Sequence, residues 1–325
     1  MIDILLATYN GGRFIDRQLK SLLTQDRDNL DTELRLIIRD DGSTDATVDI
    51  IKKRLDYYRL KRPDNPMEVK ITADNTPAGG PAANFMKLLQ MSDAEYVMFS
   101  DQDDMWYRRK TEATYKFMKK CEEKYGKDMP ILVHTDLSLM NEAGEKTASS
   151  FYDYQKLPRE DKLSTLLIQN TVTGCTMMLN KAAADLLRMA PASEMVLMHD
   201  HYAAVLIAAT GKVKLLDEAL IRYRQHSGNV VGAHAAGSRD EYKERFDLGR
   251  GKFLLDMDKS YRQAGYILKR YEKYIREAKG EDTVEMLREY SDLIMAGKLE
   301  RMEFFQKYGV YKNGVIKKAV QMLWC

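Results

Sequence analysis

The chain opens on a nearly continuous apolar stretch, residues 2–7, and similar short runs recur at 34–38, 69–72 and 96–99. Apolar runs of this length, set off by polar or turn-forming residues, read as buried strands. Between them apolar residues fall at helical spacing. Phe14, Ile15, Leu19, Leu22 and Leu23 share one face, and Val48, Ile50, Ile51 and Leu55 share a second. Ser43 or Thr44 is placed to cap that second helix. Pro81 follows a turn signal at 77–80 and suits the first position of a helix carrying Phe85, Leu88 and Leu89. Strands alternating with helices predict βα units, hence an α/β domain on a mixed, mostly parallel sheet. Farther along, 131–134 and 175–179 read as strands and 162–168 as a helix.

From Arg239 the pattern changes: glycine and proline become rare, charges dense, and apolar residues keep helical spacing, with a break at Gly280. This places a boundary near residue 236, dividing the chain into an α/β domain (1–236) and a helical C-terminal region (237–325). The tail, 311–324, mixes Lys312, Lys317 and Lys318 with Val315, Ile316, Leu323 and Trp324. Such a helix suits peripheral contact with a membrane surface, or packing on its own protein or on a second subunit.

Composition adds mainly exclusions. The 51 basic and 49 acidic residues nearly cancel, so global charge gives no reason to expect a nucleic-acid partner. Cys121, Cys175 and Cys325 are scattered and odd in number, which fits a reducing, cytoplasmic setting better than a disulfide framework. The first residues lack the pattern of a signal peptide, and no stretch approaches the roughly 20 apolar residues of a membrane span.

The chemistry is concentrated where two strands end. Asp40-Asp41-Gly42-Ser43 follows the second, and Asp101-Gln102-Asp103-Asp104 follows the fourth. Ligands of open α/β sheets bind at such carboxyl ends. Several carboxylates in one crevice raise each other's pKa and call for a cation, and Mg2+ or Mn2+ with oxygen ligands would neutralise a diphosphate there. Taken singly, each aspartate is equally compatible with capping a turn.

Three strings in this order, Thr8-Tyr9-Asn10-Gly11-Gly12, Asp40 to Asp45, and Ser100 to Trp106, resemble family 2 glycosyltransferases, whose fold is GT-A. The segments 170–178, 198–200 and 222–229 resemble the rhamnosyltransferase-like branch of that family. The resemblance covers about residues 1–232. It implies an inverting transfer from a nucleotide-diphospho sugar, dTDP-L-rhamnose before UDP-hexoses, to a growing glycan. Such acceptors are commonly carried on a lipid, at the inner face of the membrane.

It also implies roles. Thr8, Tyr9 and Asn10 would border the nucleotide, Asp41 would accept from the base, and Asp40 would share that part. Asp101 would lie on the ribose side, while Asp103 and His226 would hold the metal. Asp200 would be the base that takes the acceptor proton, with His199 beside it. Trp106 and Gly174 would border the sugars, although a lone tryptophan in this position is also a usual core residue. Lys110, Arg222 and Arg224 are within sequence reach of phosphate. His199 and His201 are not spaced as a helical zinc pair. Two other functions share some of these features: a sugar-phosphate nucleotidylyltransferase, which needs a more basic first loop, and a silent glycan-binding module, which does not need Asp200.

Overall fold

A computed structural model describes residues 1–63, 67–73, 77–190, 197–226 and 239–325, with side chains in the last segment from 249 onward. Parallel strands β1 (Ile2–Thr8), β2 (Leu34–Asp40), β3 (Glu68–Ala73) and β4 (Tyr96–Ser100) form one half of a nine-stranded sheet. Helices α1 (Ile15–Leu23), α2 (Thr47–Lys61) and α3 (Pro81–Gln90) connect them. The other half holds β5 (Met105–Trp106), β6 (Ile131–Met140), β7 (Lys146–Ala148), β8 (Met178–Asn180) and β9 (Lys212–Arg224). Along the sheet the order is β3-β2-β1-β4-β8-β6-β9-β5, with β7 beside β6. β8 runs antiparallel to both β4 and β6, so the sheet is mixed, and the parallel pairings are β1 with β2 and β4, β2 with β3, and β6 with β9.

Strands β1, β2 and β4 are buried almost throughout, as expected of parallel strands covered on both faces. Asp3 lies inside β1 because its register partner Arg35 donates to both of its carboxylate oxygens, at 2.8 and 2.7 Å. Two local expectations change. Helix α2 is headed by Asp45, whose carboxylate accepts from the Thr47 N–H at 3.0 Å; Ser43 instead donates its hydroxyl to Asp40. The segment 175–179 is not one strand. Thr176 donates its N–H and hydroxyl to the Thr173 carbonyl at 2.9 and 2.6 Å, and this winds Gly174–Thr176 into a 3-10 turn ahead of β8.

Helices α4 (Lys110–Tyr125), α5 (Phe151–Gln155), α6 (Leu163–Ile168), α7 (Lys181–Arg188) and α8 (His199–Thr210) complete the α/β part. Beyond it lie α9 (Arg239–Lys279, kinked at Gly249), α10 (Glu281–Asp292), α11 (Lys298–Tyr308) and α12 (Val315–Trp324). The expected break falls at Gly280, which has φ 83°. One apolar core runs from Leu5, Val97 and Phe99 through α8 to Tyr261, Tyr271, Tyr290 and Phe305, so the C-terminal helices share their core with the sheet. The expected boundary near 236 lies outside the described residues. No helix among the described residues is long and apolar enough to cross a membrane.

Candidate active site

The loops after β1, β2 and β4 are stitched together by side chains that bond to backbone. The Asn10 N–H donates to Ser43 Oγ and the Thr44 N–H to Asn10 Oδ1, both at 2.8 Å. Gly11 and Gly12 donate to Thr47 Oγ1 and Asp45 Oδ2 at 2.8 and 2.9 Å. Gln102 closes the third side, accepting from the Tyr9 N–H and donating to the Tyr9 carbonyl, each at 2.9 Å. A Cβ on Gly11 would meet the Gln102 amide, so a larger residue there would displace the side chain that closes this framework. Gln102 was missed in the sequence, although a residue able both to donate and to accept between two aspartates was the available signal.

This framework separates the first acidic pair. Asp40 is 2% exposed and engaged by Thr8 Oγ1, Ser43 Oγ and the Ser43 N–H at 2.8, 2.6 and 2.8 Å. It organises its loop through these bonds. The Thr8 hydroxyl is spent on the same bond. Asp41 Oδ1 accepts from Arg39 and from the Ala78 N–H, both at 2.6 Å, and Arg39 also donates to Asn84. Tyr9, in contrast, is 55% exposed at the rim.

Asp101, Asp103, Asp104 and Asp200 share the crevice. Burial and the charges of Asp103 and Asp200 push Asp101 up to about 7. Burial pushes Asp200 up to about 6, against the N–H bonds it receives from His201 at 2.6 Å and Gly174 at 3.1 Å. Asp200 thus begins α8 and is held by the turn before β8. Asp103 and His226 meet across the fold, with His226 Nε2 at 2.7 Å from Asp103 Oδ2, and both remain partly open. Arg224 fixes their geometry: its N–H donates to Asp104 Oδ1 at 3.0 Å, and its guanidinium donates to the Asp103 and Glu142 carbonyls at 2.8 Å each. Fully buried in this way, Arg224 anchors the loop and is not available to phosphate.

Beneath this layer, oxygens of Asp101 and Asp104 and the Cys175 sulfur lie within 4.8 Å of one another. Cys175 is fully buried, and burial together with Asp104 and Asp101 holds its thiol well above the ordinary value. Asp104 and Lys110 are also fully buried, and among the described residues Asp104 Oδ2 and Lys110 Nζ have no hydrogen-bond partner. Lys110 sits 4.0 Å above the Trp106 ring, and burial draws it down to about 7 against the charges of Cys175 and Asp104. With the Lys110 amine beside it, this trio forms the floor of the crevice. Asp103 and His226, the pair that remains partly open, offer a carboxylate oxygen and an imidazole nitrogen as donors.

Trp106 and His199 are both buried. Trp106 is 5% exposed, within the core that also holds Leu137 and Leu139, and Lys110 covers its ring. His199 is 3% exposed, stacked on Phe85 at 4.1 Å, and burial keeps it neutral by drawing its pKa down to about 3. It supports the turn from below. Gly174 does border Asp200, and a Cβ on it would lie 2.5 Å from His199 Nε2.

The sequence profile of Glycosyl transferase family 2 matches residues 3–186. Among curated proteins, the chain is similar to dTDP-rhamnosyl transferase RfbG of Shigella flexneri, 38% identical over 109 residues. That stretch is 32% of this chain, which thereby spans about a third, 34%, of the relative's own length. Two solved structures share the fold. Residues 1–349 of S. aureus TarS in complex with UDP-GlcNAc superimpose with TM-score 0.52 at 18% identity, covering 95% of this chain and 92% of that one. Mannosyltransferase PcManGT from Pyrobaculum calidifontis, in complex with GDP-Man and Mn2+, gives 0.52 at 16% identity, covering 99% and 87%. With the profile match extending over more than half of its length and the GT-A-like fold behind it, the chain belongs to glycosyl transferase family 2.

Proposed function

We propose that this protein is a metal-assisted, inverting glycosyltransferase that moves a sugar from a nucleotide-diphospho donor to a glycan acceptor in cell-surface polysaccharide synthesis. The observation that carries this reading is Asp200: a partly buried carboxylate at a helix start, held by the Gly174 N–H, close enough to Asp101 to raise the Asp101 pKa. A base poised near pH 6 is ionised at neutral pH and still accepts a proton effectively.

In the reaction, Asp200 takes the proton of the acceptor hydroxyl while that oxygen attacks the anomeric carbon on the face opposite the diphosphate. The bond to the donor's diphosphate breaks in the same step, and the nucleotide leaves with the electron pair. Asp103 and His226 would hold Mg2+ or Mn2+, which supplies charge neutralisation to the departing diphosphate. Asp41, already oriented by Arg39, accepts from the base, and exposed Tyr9 with Asn10 lines the nucleotide rim. Asp101 faces the ribose.

Similarity to a dTDP-rhamnosyl transferase supports dTDP-L-rhamnose as the donor. The work is assigned to residues 1–236, with 237–325 as the helical region. Val315, Ile316 and Leu323 on α12 are exposed beside Lys317 and Lys318, which supports peripheral contact with the cytoplasmic membrane face and a lipid-linked acceptor. A donor screen tests the reading: purified protein, Mg2+ or Mn2+ and a panel of nucleotide sugars, with released nucleotide quantified. One preferred donor, with turnover abolished by EDTA, is expected. No release from any donor, with no metal-dependent nucleotide binding, would favour a silent binding module.

A further inference from the structure

Far from the crevice, four lysines converge where α4, β9 and α9 meet. The ammonium groups of Lys124, Lys212 and Lys214 lie 5.2, 5.4 and 5.7 Å from the centre of the Tyr125 ring. Lys212 and Lys214 are two residues apart on β9 and so point to the same face. Lys279, the last residue of α9, is held below the ordinary lysine value by burial and by the charges of Lys212 and Lys214. Among the described residues, no carboxylate forms an ion pair with any of the four.

Helix dipoles account for part of this. Lys124 and Lys279 stand in the last turns of α4 and α9, where a cation offsets the negative helix end. Lys212 and Lys214 stand at no helix end, and both repel Lys279. In a chain whose charges otherwise nearly cancel, the Tyr125 ring and hydroxyl offset part of this local excess but leave its net positive charge unneutralised. It is offset when a multivalent anion sits among the ammonium groups, with the Tyr125 hydroxyl as a further donor. Arg224, at the other end of the same strand, holds the Asp103 loop, and at about 3.3 Å per residue the lysines lie roughly 30 to 40 Å from it.

We propose that Lys124, Lys212, Lys214 and Lys279 form a binding site for a phosphate-bearing anion, separate from the crevice. The anion is either free in solution or carried on a lipid headgroup. The inference does not depend on the reaction assigned to Asp200.

The test uses the full chain and the double variant K212Q/K214Q. Inorganic pyrophosphate is titrated calorimetrically in EDTA, which removes metal-dependent binding in the crevice. In parallel, flotation measures binding to phosphatidylcholine vesicles with and without phosphatidylglycerol, with K317Q/K318Q reporting any contribution of α12. The double variant is expected to keep donor turnover within about twofold and to lose anion binding at least about tenfold. Loss of pyrophosphate binding identifies a soluble phosphate; loss of binding to the anionic vesicles, with K317Q/K318Q still binding, identifies a headgroup. If K212Q/K214Q matches the native chain in both assays, or the native chain binds neither probe, the site does not exist.

Discussion

His226 Nε2 lies 2.7 Å from Asp103 Oδ2, joining the end of β9 to the loop after β4 across 123 residues of chain. The imidazole also packs on Phe14 at a centroid distance of 4.9 Å, so its ring is oriented before any ion arrives. His226→Ala should therefore weaken Mn2+ binding by about 10- to 100-fold while the fold persists. Electron paramagnetic resonance of a Mn2+ titration measures this directly, and an unchanged affinity would remove His226 from the metal site.

The pH dependence has a definite sign. Asp200 acts as a base only when ionised, and burial puts its midpoint at about 6. Activity should be present above that pH and be lost as pH falls through it, with kcat/KM declining about tenfold per unit on the acid side. An initial-rate profile at saturating Mn2+ checks the direction; activity rising as pH falls would assign the carboxyl a different role.

Gly174 is a close-approach glycine. Its added Cβ would lie 2.5 Å from His199 Nε2, and His199 cannot swing away because it is buried and stacked on Phe85. Gly174→Ala should cost about 1–3 kcal/mol of stability by overpacking and displace the N–H that holds Asp200. Thermal denaturation reads the loss. The double variant G174A/H199A should recover part of it, because the colliding ring is gone.

Arg224 offers a fourth test. Its buried guanidinium satisfies backbone carbonyls of Asp103 and Glu142, so Arg224→Met leaves those acceptors without their donor. Urea denaturation should show a loss of about 2–4 kcal/mol, with weakened Mn2+ affinity as the loop relaxes. Lysine should not rescue, because a single ammonium cannot reproduce the planar fork.

β1, β2 and β4 were legible because they are buried on both faces and read as apolar runs at residues 2–7, 34–38 and 96–99, whereas β3, found at 69–72, is a largely exposed edge strand. β9 was not legible, since Lys212, Lys214, Asp217, Glu218 and Arg222 break its pattern, and β5 spans only Met105–Trp106. The acidic strings marked where the crevice lies, but not which aspartate faces it. Asp40 and Asp41 are adjacent in sequence, yet Thr8 and Ser43 occupy one while Arg39 orients the other. Burial of Trp106 and Lys110 depends on packing between β5 and α4, which no local pattern records.

The most direct measurement compares Asp200→Asn with the native protein, at matched metal, for nucleotide affinity by calorimetry and for sugar transfer to acceptor in single turnovers. If Asp200 is the base, the variant binds nucleotide within about twofold of native while transfer falls by about 10²- to 10⁴-fold. Transfer at the native rate in a variant that binds normally would contradict the assignment of Asp200 and the mechanism built on it.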